Sequence, residues 1–225
     1  MTRSATTCGR CAGTRHRPSG SFVPPWPPNP FRPHDWRREA NVVEKKVIKE
    51  RRTKGLIVVH TGDGKGKTTA ALGMAFRALG HNYRVFVGQF IKGSRHYGEL
   101  VTAERLKEWI EIHPMGEGFT WETKSRERDT QKAHEAWAFF KERLLAGEYR
   151  LVILDEINYV IDYGYLPVEW VLEALRQKPP EVHVVLTGRN AHPQILEMAD
   201  LVTEMRLIKH PFRDQGIPAQ SGIEF

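Results

Sequence analysis

The chain has 225 residues, enough for one domain with a substantial core plus an appended arm, and its 40% hydrophobic content is that of a soluble globular protein. A net charge of +7 raises the question of nucleic acid. Residues 1–54, however, carry 13 Lys+Arg against 4 Asp+Glu and the remainder 21 against 23, so a folded nucleic-acid-reading surface has little compositional support.

Both cysteines, Cys8 and Cys11, lie at the start, so no disulfide framework can hold the core. Their spacing is half a zinc site, but no second Cys or His pair completes it, and two unpaired tail thiols are the simpler reading. No apolar run reaches the length of a membrane span and no signal-peptide hydrophobic region opens the chain, so a soluble, cytoplasmic protein is expected.

Residues 1–34 contain no acidic residue and include the proline-rich run SFVPPWPPNP, which cannot hold a helix or a central strand. They are expected to be a disordered tail, with a transit peptide or an over-long start as alternatives. Residues 35–54, beginning DWRREANVVEKKVIKERRT, lack interior Pro and Gly and set Val43, Val47 and Ile48 at helical spacing, which predicts a basic amphipathic helix.

From Gly55 to Phe225 the pattern changes to short apolar runs alternating with helical stretches. LIVVH at 56–60, RVFVGQF at 84–90, LVILD at 151–155 and VHVVLT at 182–187 are continuous rather than alternating, as strands covered on both faces require. IEIHP at 110–114 and LVTEMRLI at 201–208 are weaker candidates, and residues 67–79 and about 124–146 read as helices. The order predicts a mostly parallel, doubly wound α/β sheet with helices on both faces and right-handed crossovers, and together with the glycine-rich loop at 61–69 it points to a P-loop domain of the RecA-like kind.

After the first strand comes Thr61-Gly62-Asp63-Gly64-Lys65-Gly66-Lys67-Thr68-Thr69, opening a helix. Such glycines let backbone N–H groups curl around an anion, the helix start adds positive potential, Lys67 can reach phosphate oxygens and Thr68 can ligate Mg²⁺. The generic pattern starts with Gly where Thr61 stands. The strand LVILD ends in Asp155 and Glu156 at its carboxyl end, the edge where open α/β sheets hold ligands; one carboxylate there can hold Mg²⁺ or its water while the other ligates or polarises nearby. Together they specify nucleotide–Mg²⁺ binding without specifying which ATP bond breaks. No His pair has HExxH-like metal spacing.

The blocks TGDGKGKTTAALGMAFRALGH, QFIKG, GFTWET, VILDEINYVIDYGYLP, LTGRNAHPQILEMADLVTEM and the terminal KHPF…AQSGIEF follow in one order over residues 55–225. In this the chain resembles the P-loop type corrinoid adenosyltransferases, where Thr in place of the first loop glycine is usual. Asp63 stands where many relatives carry Asn, which leaves its contact open.

The resemblance implies transfer of the 5′-deoxyadenosyl group of ATP to the cobalt of a reduced corrinoid, with release of triphosphate. It implies ATP held by residues 61–69 in the reverse sense to most P-loop enzymes, and Mg²⁺ held by Thr68, Asp155 and Glu156. It places on Phe119 and Trp121 the two aromatics that occupy the lower face of the corrin; taken without the family, they read as packing residues. Arg189 in TGRNAHP is a candidate phosphate contact or a structural ion pair. The resemblance also implies a homodimer, a reduced flavoprotein or similar electron donor, and a cap over the corrinoid from the basic helix. A small-molecule kinase or ATPase using the same loop, and a nucleotide-dependent switch with a basic arm, are the competing readings.

Overall fold

A computed structural model describes residues 54–93, 97–116 and 126–225. The tail over 1–34, most of the helix expected over 35–54, and Phe119 and Trp121 lie outside the described residues.

The described residues form strands β1 (Ile57–Thr61), β2 (Val85–Gln89), β3 (Ile110–Pro114), β4 (Leu151–Asp155), β5 (His183–Thr187) and β6 (Leu201–Glu204). Helices are α1 (Lys67–Leu79), α2 (Gly98–Arg105), α3 (Arg126–Ala146), α4 (Ile157–Asp162), α5 (Val168–Gln177), α6 (Pro193–Met198) and α7 (Pro211–Gln215). The strands make one sheet in the order β3-β2-β4-β5-β1-β6, and every pairing is parallel. The parallel α/β expectation holds, both weaker strand candidates are real, and the last one stops at Glu204. Strand β5 separates the phosphate-loop strand β1 from the carboxylate strand β4.

Alternation along the strands sorts the core into two layers. Ile57, Val59, Phe86, Val152, Leu154, Val184 and Leu186 pack with α3, α4, α5 and α6, while Val58, Val85, Val87, Ile153 and Val185 pack with α1 and α2. Both faces are therefore apolar, which is why these strands read as unbroken hydrophobic runs. Gly88 belongs to the first face, where an added Cβ would stand 2.7 Å from the Phe140 ring, so the absence of a side chain lets α3 lie down on β2.

At the carboxyl end of the sheet the α1 layer turns polar. Register sets Gln89 beside Asp155, and Thr187 beside His60. Their side chains continue the row of Val87, Ile153, Val185 and Val58, and all four are buried.

Candidate nucleotide site

The loop between β1 and α1 owes its shape to glycine. Gly62 and Gly66 have φ of +91° and +105°, a region closed to most side chains. At Gly62 and Gly64 a Cβ would meet the carbonyl oxygen of Met205 at 2.5 and 2.7 Å, because the segment after β6 passes directly over the loop. Gly64 N donates to that oxygen at 2.6 Å and Met205 N donates to Thr61 O at 2.8 Å. Helix α1 then begins with no side-chain cap and no acidic residue in its first turn, leaving its amide groups available to an anion.

Lys67 is buried, and its Nζ donates to the carbonyls of Gly62 at 2.8 Å and Gly64 at 2.7 Å. Burial holds its pKa below the ordinary lysine value. Lys65, by contrast, is exposed and pairs with Glu224. Thr69 and Asp63 are exposed. Arg189 Nε stands 3.8 Å from Asp63 Oδ1 with both side chains largely in solvent, a pair of small energetic value. The loop after β5 is tied to the phosphate loop at another point, where Ala191 N donates to Thr61 Oγ1 at 3.2 Å.

Asp155 is fully buried and heavily committed. Its Oδ1 accepts from Thr68 Oγ1 at 2.8 Å and from Thr187 Oγ1 at 2.7 Å. Its Oδ2 accepts from Gln89 Nε2 at 3.2 Å, and Lys92 Nζ stands 3.5 Å from the same oxygen. The Thr187 hydroxyl in turn accepts from Glu156 N at 2.9 Å. One hydrogen-bond chain thus joins α1, β4 and β5.

Glu156 differs from its neighbour. It sits at φ +65°, an uncommon conformation for a non-glycine residue, and its Oε2 is buried with no hydrogen-bond partner among the described residues. Burial and then the Asp155 charge raise its carboxyl pKa to about 7, against the opposing pull of Lys67, Lys92 and Arg189. Among the described residues there is no preformed group of three or more His, Cys, Asp and Glu that could hold a metal. A hard divalent cation fits what is present, because an orphaned carboxylate oxygen and a threonine hydroxyl are oxygen donors and the cation would offset the cost of ionising Glu156.

Thr61 to Thr69, Asp155, Glu156 and Arg189 therefore gather at one sheet edge. Four further residues there carried no chemical motif: Gln89, Lys92, Thr187 and Asn158, the last donating from Nδ2 to Gly188 O at 3.3 Å. Their only signal was membership of the blocks QFIKG, LTGRNAHP and VILDEIN.

Comparison with known proteins agrees with this picture. The family model for ATP:corrinoid adenosyltransferase BtuR/CobO/CobP matches residues 53–225. The corrinoid adenosyltransferase of Pseudomonas aeruginosa is 47% identical over 188 residues, covering 84% of this chain and 92% of that protein. That of Escherichia coli K12 is 44% identical over 189 residues, covering 84% and 95%, and corrinoid adenosyltransferase CobA of Salmonella typhimurium is 44% identical over 183 residues, covering 81% and 92%. Since the match runs from β1 and its phosphate loop through the carboxylate strand to the segment that crosses the loop, the chain belongs to the ATP:corrinoid adenosyltransferase family.

Proposed function

We infer that residues 61–69 hold the triphosphate of ATP while this enzyme transfers the 5′-deoxyadenosyl group to the cobalt of a reduced corrinoid. The observation that carries the reading is the Thr68–Asp155–Thr187 chain, which fixes the phosphate loop against the carboxylate strand within a domain of this family.

In the reaction the cobalt electron pair attacks the 5′ carbon, the cobalt–carbon bond forms, and the C–O bond breaks with its electrons leaving on triphosphate. The protein's task is to stabilise that leaving charge. The amides at the start of α1, Lys65, Lys67 and Thr69 surround it, and Arg189 approaches from the β5 loop. For Lys67 this means exchanging the carbonyls of Gly62 and Gly64 for phosphate oxygens. For Lys65 it means leaving Glu224.

Mg²⁺ would be held by Thr68 and Glu156, with Asp155 oriented by its donors, and when bound it adds positive charge beside the leaving group. Phe119 and Trp121 would line the lower face of the corrinoid and exclude water and axial base. Apolar surroundings and loss of an axial ligand are levers on a metal's potential. A homodimer in the cytoplasm, supplied with electrons by a reduced flavoprotein, completes the proposal; no helix among the described residues is long and apolar enough to cross a membrane.

The test is incubation of the protein with Mg-ATP and chemically reduced cobalamin, following the corrinoid spectrum and the phosphate product. A light-sensitive adenosylcobalamin spectrum with triphosphate is expected. ADP formed without regard to corrinoid would overturn the reading in favour of a kinase or ATPase.

A further inference from the structure

Lys92 lies just beyond β2 and is mostly enclosed, its side chain 19% exposed. Its ammonium stands 2.9 Å from Glu99 Oε1 and 3.5 Å from Asp155 Oδ2, and 5.2 Å from the centroid of the Tyr97 ring. Burial alone would lower its pKa, but Asp155 and Glu99 outweigh that and hold it above the ordinary lysine value, so the charge is present at any working pH. A buried ion pair of this kind is weak evidence of a stability role, since a well-packed apolar group often serves stability as well. What distinguishes this pair is its address. The carboxylate that Lys92 faces is the one that receives the Thr68 hydroxyl.

Asp155 consequently has no idle oxygen. Oδ1 takes two hydroxyls and Oδ2 takes the Gln89 amide and faces the Lys92 charge. A divalent cation arriving at Oδ2 would have to displace Gln89 and approach a fixed positive charge. Glu156 Oε2 meets no such competition from a hydrogen-bond donor.

We propose that Lys92 is a positioning residue that reserves Asp155: it neutralises that carboxylate in the nucleotide-free protein, so the divalent cation enters together with ATP rather than ahead of it, and Glu156 is left as the carboxylate that contacts the cation. Glu99 accepts a hydrogen bond from Lys92 and so helps to hold it in place. The inference rests on the nucleotide–metal reading above.

The test uses Mn²⁺ as the probe, with free Mn²⁺ followed by electron paramagnetic resonance on the full chain, with and without ATP and in the absence of corrinoid. The wild-type protein is expected to take up Mn²⁺ poorly alone and well with ATP. Lys92→Met removes the positive charge that faces Asp155 and should tighten nucleotide-free Mn²⁺ binding by about tenfold. Lys92→Arg should behave as wild type. Lys92→Gln, which keeps a donor for Asp155 without the charge, should match Lys92→Met and serves where the latter does not fold. Equal or weaker nucleotide-free Mn²⁺ binding in both neutral variants would overturn the role given to Lys92. Wild-type protein that binds ATP yet takes up no additional Mn²⁺ would instead overturn the nucleotide–metal reading beneath it.

Discussion

Replacing Glu156 with Gln should stabilise the nucleotide-free protein at pH 8 and leave it nearly unchanged at pH 5. The folded protein keeps the Glu156 proton up to about pH 7, whereas an unperturbed glutamate gives it up near 4.5. Between those values the native state binds more protons than the unfolded chain, so this group makes stability fall as pH rises through that window and remain level above it. At 1.36 kcal/mol per pKa unit, the full difference is about 3 kcal/mol. For a folded region of this size that is roughly 5–10 °C in melting temperature. Thermal unfolding of wild type and variant, followed by circular dichroism at both pH values without metal or nucleotide, reads the difference directly. A variant whose advantage is the same at pH 5 and pH 8 would refute the claim that Glu156 is an ionisable group strained by burial and by Asp155. Addition of Mg²⁺ with ATP should reverse the ranking at pH 8, because the cation gives the ionised carboxylate the partner it lacks.

Lys67→Ala should abolish ATP-dependent adenosylation, measured as adenosylcobalamin formation; near-normal steady-state kinetics would remove Lys67 from the triphosphate site. Gly88→Ala should cost about 1–3 kcal/mol by forcing the Phe140 ring off the sheet, read as a lower midpoint in urea unfolding, and an unchanged midpoint would mean the ring yields freely. Trp121→Ala should impair adenosylation starting from Co(II) while sparing ATP affinity by calorimetry. A pure loss of ATP binding would make that residue structural.

The order of elements was legible because both faces of this sheet are covered, so LIVVH, RVFVGQF, LVILD and VHVVLT each read as a strand without need of a partner. The phosphate loop was legible for a similar local reason: the glycines, Lys67, Thr68 and the start of α1 are contiguous, and backbone conformation alone determines their joint chemistry. The short helices α4, α6 and α7 left little trace, being too brief for a helical period to show. Family blocks supplied Phe119, Trp121 and Arg189, with no local chemistry to support them.

By itself, then, the sequence determined the alternation of strands and helices, the anion-binding loop and the presence of two acidic residues at a strand end. The tertiary structure decided how those acids differ. Parallel register carries Gln89 and Thr187 to Asp155 from strands that are distant in the chain, and brings Lys92 to the same carboxylate. Asp155 is thereby saturated with donors while Glu156, one residue on and turned aside at positive φ, keeps its Oε2 buried with no donor among the described residues. No local pattern could separate two adjacent carboxylates in this way, because the difference lies in which long-range partners reach each of them, and packing rather than sequence spacing sets that.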